Sequence, residues 1–286
     1  MPGVRQMIKS VVRNMGVRQN IVENDYALSY LLAAIADSDG LGENLVLKGG
    51  TALKKLYFEN YRFSEDLDYS TRVIGPIQNI DSLMQAVVGQ MTSALNERGP
   101  FQVNLEPLIL PHPHPGDQKA YLVRVQFPEQ HQPLCRLKVE ITIDEPILLP
   151  VETLPVIHGF VEDFHANVPV YSLVEITAEK LRALLQSRAR LQERGWGASR
   201  VCRDYYDLWY LFQQPAIRSP DLVPLIQQKC TERNVSYESP ADFVADDLFA
   251  EARNVWQQQL LPFVPNAPPV EKCLAEVKTM ILSLWE

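Results

Sequence analysis

The chain has 286 residues, 46% hydrophobic and 22% charged, with a formal net charge of −8. That is the make-up of an ordinary globular protein, long enough for one large domain or two of usual size, and its acidity counts against non-specific nucleic-acid binding, which favours basic surfaces. No apolar run is long enough to span a bilayer, "MPGVRQMIKSVVRN" lacks a signal core, and Cys135, Cys202, Cys230 and Cys273 form no CxxC pair. The expectation is therefore a protein that neither spans a membrane nor is secreted, with no zinc site or disulfide framework indicated, and cytoplasmic with reduced thiols.

In chain order, "NDYALSYLLAAIADS" has helical periodicity, with Leu28, Leu31, Leu32 and Ile35 near one side and Asn24 or Asp25 placed to cap its start. "NLVLK" reads as a short strand broken by Gly49 and Gly50, after which Thr51 caps a helix through "ALKKLYF". "EDLDYST" is the next strand, and "IDSLMQAVVGQMTSALNERG" a helix ended by Gly99. Three strands follow, "FQVNLEPLIL", "AYLVRVQF" and "LCRLKVEITID", separated by proline-rich loops. In the third, Leu137, Val139, Ile141 and Ile143 face one way; Lys138, Glu140, Thr142 and Asp144 face the other. "VPVYS" is a last short strand. Ser172 and Glu175 form a capping box for a long helix, "LVEITAEKLRALLQSRARLQ". After a loop with Gly195 and Gly197, "SRVCRDYYDLWYLF" is helical. Ser219-Pro220 and Ser239-Pro240 each open another helix, and "VEKCLAEVKTMILSLWE" closes the chain as a helix. The expected fold is α/β (α+β): a core of mixed sheet and helices over 1–165, then a helical domain over 166–286.

Asp66, Asp68 and Ser70 share one face of their strand, and two neighbouring carboxylates require a cation or a shared proton. Mg²⁺ suits them, since it is usually held by one or two carboxylates plus substrate phosphates. Glu140, on the polar face of its strand, is the candidate third carboxylate, with Asp144 second. Upstream, "KGGT" (Lys48, Gly49, Gly50, Thr51) places two glycines between strand and helix, where backbone N–H groups approach phosphate closely. A D-x-D strand alone is usually a solvent-facing edge, and a Gly-Gly turn alone is usually a turn. The specific signal is the order strand, Gly-Gly, threonine-led helix, D-h-D strand, where h is apolar.

That order resembles the polymerase-β-like nucleotidyltransferase superfamily. With "LVLKGGTALKKLY", "RFSEDLDYS", "ITAEKLRALL" and "RDYYDLWYL", and with "ENDYALSYLL" before them, the chain from about Glu23 to Phe212 is similar to the AbiEii/AbiGii toxin family of type IV toxin–antitoxin systems. The resemblance implies that Asp66 and Asp68 hold metal, that Gly49, Gly50 and Thr51 contact phosphate, that Lys180 meets the triphosphate, and that Asp204 is a second catalytic carboxylate with Asp207 a turn later. The gap from Gly50 to Asp66 is longer than in the superfamily at large but fits this branch. Glu140 matches no family motif and rests on strand parity.

Read by itself, Lys180 has no acidic residue three or four positions away, and its bland reading is an exposed helical lysine whose removal leaves the fold intact. Asp204 and Asp207, spaced i, i+3, share a helix face with Arg200 and Arg203, which equally describes a surface ion-pair cluster. From Lys180 to Arg203 stand seven basic residues and one acidic residue, Glu193; such a run can hold phosphate or simply be a solvated helix face. His112 and His114 lie in a proline-rich loop with no third ligand near. Tyr205, Tyr206, Trp209, Tyr210 and Phe212, at helical spacing, read as core rather than a base-stacking platform.

The expected protein is a Mg²⁺-dependent nucleotidyltransferase toxin that moves NMP from an NTP to an acceptor hydroxyl. The resemblance implies an RNA acceptor, the tRNA 3′ end among them, and a separately encoded antitoxin. Two rivals stand beside it: a small-molecule nucleotidyltransferase, and a catalytically inactive nucleotide-binding or protein-binding module. Paired carboxylates argue against the last, because binding alone does not require a two-metal cage.

Overall fold

The computed structural model describes residues 3–109 and 118–286; His112 and His114 lie outside the described residues. The chain divides into two compact units, Met1–Tyr171 and Ser172–Glu286.

The first unit runs α1 (Val4–Met15), α2 (Gln19–Ala36), β1 (Leu45–Lys48), α3 (Gly49–Ala52), β2 (Asp66–Thr71), α4 (Ile80–Asn96), β3 (Gln102–Leu108), β4 (Gln118–Gln126), β5 (Cys135–Thr142), β6 (Glu152–Pro155) and β7 (Asn167–Val170). The strands form one mixed seven-stranded sheet in the order β3-β4-β5-β2-β1-β7-β6. β2 runs antiparallel to β1 and parallel to β5. Strand alternation decides the faces: Leu67, Tyr69, Leu137, Val139 and Ile141 are buried on one side, while Asp66, Asp68 and Glu140 stand half-buried on the other. α2 and α4 pack on each other and on the sheet, and the Tyr121 hydroxyl of β4 donates to Asp81 of α4 at 2.6 Å.

Several elements depart from the sequence reading. α1 is an additional helix; Val4, Met7 and Ile8 give it one buried stripe, and Gly16, at φ +67°, ends it with an N–H to the Val12 carbonyl. α2 begins at Gln19, so Asn24 and Asp25 are interior and buried rather than caps. The Asp25 carboxylate meets the Lys55 ammonium at 2.7 Å, and desolvation by burial draws the Lys55 pKa below its usual value while Asp25 opposes the shift. Thr51 lies inside α3, whose N-cap is Lys48. The helix then widens into a π-helical turn, Leu53–Tyr57, closed by the Phe58 N–H on the Leu53 carbonyl at 2.9 Å. β6 is a largely exposed edge strand with no apolar alternation to announce it.

The second unit is helical: α5 (Leu173–Arg194), α6 (Val201–Leu211), α7 (Leu222–Glu232), α8 (Asp246–Gln259) and α9 (Val270–Ser283). The Ser172 hydroxyl accepts from the Glu175 N–H at 3.2 Å. The Glu175 carboxylate, fully buried, pairs with Lys229 of α7 at 2.7 Å, and Glu179 stands 3.2 Å from the same ammonium. Ser219-Pro220 falls just before α7, whose N-cap is Asp221. Ser239-Pro240 opens a 3₁₀ turn, Pro240–Val244, with a complete capping box to Asp242, and α8 follows it. Tyr205 and Tyr206 are core residues. The Trp209 indole donates to Glu276 of α9 at 2.6 Å. Among the described residues no helix is long and apolar enough to cross a membrane.

The Asp25–Lys55 pair generates a stability test. Asp25→Asn strands a buried ammonium and should cost about 3–5 kcal/mol in urea unfolding, whereas Asp25→Leu combined with Lys55→Met should recover most of that loss.

Candidate active site

Sheet register assembles the polar face of the first unit. Lys48 of β1 lies opposite Asp68 of β2, Asp68 beside Glu140 of β5, and Glu140 opposite Ala120 of β4. One row therefore reads Lys48, Asp68, Glu140, Ala120, and paired residues of a sheet share a face. The next row places Asp66 beside Lys138. The Lys138 ammonium contacts the Glu140 carboxylate at 2.8 Å. Glu140 thus shares the face of Asp68, with a cation of its own strand already against it. Asp144 lies beyond the end of β5 and is exposed.

The turn entering α3 closes over this face. Gly49 has φ +75°, a conformation that costs other residues about 1–2 kcal/mol. A Cβ there would stand 2.9 Å from Asp68 Oδ2. A Cβ on Gly50 would stand 2.5 Å from Arg62 Nη2 and 3.2 Å from Ser64 Oγ. The backbone therefore runs directly against a carboxylate and a guanidinium. Thr51 ties the turn down: its hydroxyl, fully buried, donates to the Asp66 backbone carbonyl. The side chain proposed for phosphate thus serves the main chain of β2. Lys48 is held likewise, its ammonium paired with Glu145, which is 1% exposed, and 5.7 Å from the Tyr171 ring centroid. Motif spacing singles out neither Glu145 nor Arg62. Arg62 does stand inside the quoted "RFSEDLDYS", whereas Glu145 carries no local signal.

In the second unit, Lys180 of α5 sits between two carboxylates of α6, 2.7 Å from Asp204 Oδ1 and 2.9 Å from Asp207 Oδ2. Asp207 is fully buried, and the Lys180 side chain is only 14% exposed. This corrects the picture of an exposed helical lysine: its partners lie on another helix, beyond the reach of an i, i+4 search. Removing it would leave two adjacent carboxylates without their cation.

The basic run is similarly engaged. Arg188 pairs with Asp242 and Asp247. Arg182 approaches Glu179 and the Lys229 carbonyl. Arg190 donates to the Gly197 carbonyl and Ser187. Arg203 donates to the Gln259 carbonyl and lies over the Phe263 ring at 4.2 Å. These contacts are those of a stitched bundle more than of a patch reserved for phosphate.

Among the described residues no three His, Cys, Asp or Glu side chains converge as a metal cage. The donor set on the β2 face is instead a pair of hard carboxylates, Asp66 and Asp68, beside a glycine turn whose backbone approaches them closely. Such a pair fits Mg²⁺, which commonly completes its shell with phosphate and water.

A family model described as "Nucleotidyl transferase AbiEii toxin, Type IV TA system" matches residues 30–276. Among solved structures, the nucleotidyltransferase toxin MenT4 of Mycobacterium tuberculosis H37Rv is similar in fold, with a TM-score of 0.58 and 20% identity over 99% of each chain. No curated protein matches the sequence.

The close approach at Gly49 generates a second test. Gly49→Ala should lower stability by about 1–2 kcal/mol from backbone strain alone. It should also displace the Asp68 carboxylate, visible as a shifted Asp68 in a crystal structure of the variant.

Proposed function

The chain belongs to the family of AbiEii nucleotidyl transferase toxins of type IV toxin–antitoxin systems, and we propose that it transfers NMP from an NTP to an RNA hydroxyl, at the tRNA 3′ end, opposed by a separately encoded antitoxin. The observation that carries this reading is the register of Asp68 between Lys48 and Glu140 under the Gly49–Gly50 turn. In the proposed reaction the acceptor oxygen bonds to the α-phosphorus, the bond to the β-phosphate bridge breaks, and pyrophosphate leaves. Asp66 and Asp68 would hold Mg²⁺, which when bound supplies Lewis-acid polarisation of the reacting phosphate. The carboxylate pair also stands ready to take the acceptor's proton. The main-chain N–H groups of Gly49 and Gly50 line the phosphates, with Thr51 and Lys48 securing the turn. Glu140 joins the donor set by exchanging its contact with Lys138. In the second unit, the cluster of Lys180 with Asp204 and Asp207 is proposed to take part in transfer as a unit, the lysine held in place by its two carboxylates.

The engagement of the basic run by internal partners keeps a second reading in view, in which the acceptor is a small molecule carrying a hydroxyl. Incubation with labelled NTPs, Mg²⁺ and total RNA separates the two: label on RNA supports the first, and transfer only to small hydroxyl compounds supports the second.

Asp66→Asn and Asp68→Asn should fold as the parent does and lose about a hundredfold or more of transfer rate, because each removes a ligand charge at the reacting phosphate. Parent-like transfer by either would refute the carboxylate pair. Lys180→Ala should abolish transfer but also lower stability by about 3–5 kcal/mol, since it removes the cation from between Asp204 and buried Asp207. Lys180→Arg, which keeps the charge, should regain most of the stability. Unfolding and transfer measured on both variants divide structural loss from catalytic loss.

A further inference from the structure

Gly49 and Gly50 are glycines for different reasons. Gly49 needs its positive φ, but Gly50 has no such backbone and lies within α3. In a helix, glycine costs about 1 kcal/mol relative to alanine. At Gly50 the issue is space: a Cβ there would stand 2.5 Å from Arg62 Nη2, so alanine requires the guanidinium to move. Arg62 is itself 3% exposed, and a buried guanidinium stays charged only where its contacts hold it in a fixed position. Its Nη1 donates to the Phe63 carbonyl at 3.2 Å, and its guanidinium carbon lies 5.8 Å from the Tyr61 ring centroid. The two glycines thus fit between a carboxylate at Asp68 on one side and a guanidinium at Arg62 on the other.

We propose that Arg62 is a positioning residue for the polyphosphate of the nucleotide: its guanidinium, seated against Gly50, fixes the turn on β2 and sets a permanent positive charge beside the phosphates. The proposal rests on reading the Gly49–Gly50 turn as the phosphate-binding turn. Arginine suits the task because its fork is planar, rigid and always charged, so its charge persists against the glycine turn. A lysine would keep the charge and lose the fork.

The test compares the parent, Arg62→Gln, Arg62→Lys and Gly50→Ala. Equilibrium binding of a labelled NTP and of inorganic pyrophosphate is measured with Mg²⁺, together with KM and kcat for transfer and with thermal unfolding. Arg62→Gln and Gly50→Ala should raise Kd for pyrophosphate and KM for the NTP about ten- to hundredfold, the worth of a charge-assisted contact. kcat should fall much less, and Arg62→Lys should restore part of the affinity. Folded Arg62→Gln or Gly50→Ala with parent affinities would overturn the proposal. If Arg62→Gln does not fold, Gly50→Ala, which keeps the arginine and displaces it, decides with Arg62→Lys. A parent that binds both ligands yet transfers nothing refutes the transferase reading, while loss of affinity in the variants still upholds the role of Arg62. A parent that binds neither ligand removes the phosphate-binding turn and Arg62 together.

Discussion

At the junction of β1 and α3 the two glycines run directly against side chains of the segment that follows, and the polar face of the sheet is arranged around that approach. Gly49 abuts Asp68 and Gly50 abuts Arg62. Thr51, one residue on, fastens the turn to the Asp66 carbonyl, and Lys48, one residue before, lies opposite Asp68 in the β1–β2 ladder. Four consecutive residues thus fix where two carboxylates of the next strand sit. Strand pairing then brings Glu140 to the same face without any further device. The positions of these carboxylates are thus set by backbone approach rather than by long flexible side chains, the form of pre-organisation that suits charge stabilisation.

Buried charge is the second theme. Asp25 with Lys55, Lys229 with Glu175 and Glu179, and Lys180 with Asp204 and Asp207 each join residues distant in sequence. Such pairs contribute little net stability, because desolvation offsets their attraction, but they penalise any alternative packing that separates them. Lys55 belongs to the π-helical turn that follows α3, and its carbonyl accepts from the Ile157 N–H at 2.6 Å. The pair therefore ties α2 to the segment that carries the glycine turn.

What the sequence disclosed followed from local pattern. The alternation of Leu137, Val139 and Ile141 against Lys138 and Glu140 located β5 and its faces, because period two is a direct consequence of strand geometry. Asp66 and Asp68 were legible for the same reason, as was the cap at Ser172. The failures are those of non-local physics. Asn24 and Asp25 have the chemistry of caps, yet Asp25 lies mid-helix because Lys55, thirty positions on, neutralises it. Lys180 reads as unpartnered on its own helix because Asp204 and Asp207 come from another. Arg62 stood in the quoted motif, but its value depends on a glycine that only the folded chain brings against it. β6 has no signal to read, being exposed and short.

The basic stretch of the second unit shows how the same limit bears on function. Counted along the chain, Lys180 to Arg203 is a run of positive charge on an acidic protein, and a run of that kind would draw a polyanion. Folded, Lys180 and Arg188 face carboxylates of other helices, and Arg203 caps the Gln259 carbonyl. A charge already paired exerts a weak field at a distance, since its partner cancels most of it beyond the first few ångströms. The carboxylate-paired members of the run therefore lend little attraction for a polyanion, whereas Arg194 and Arg200 stand exposed. The reacting end of the nucleotide is different. There the proposed charges, Asp66, Asp68 and Arg62, stand within one turn and one strand of each other, and their effect depends on short range and burial rather than on the sign of the surface.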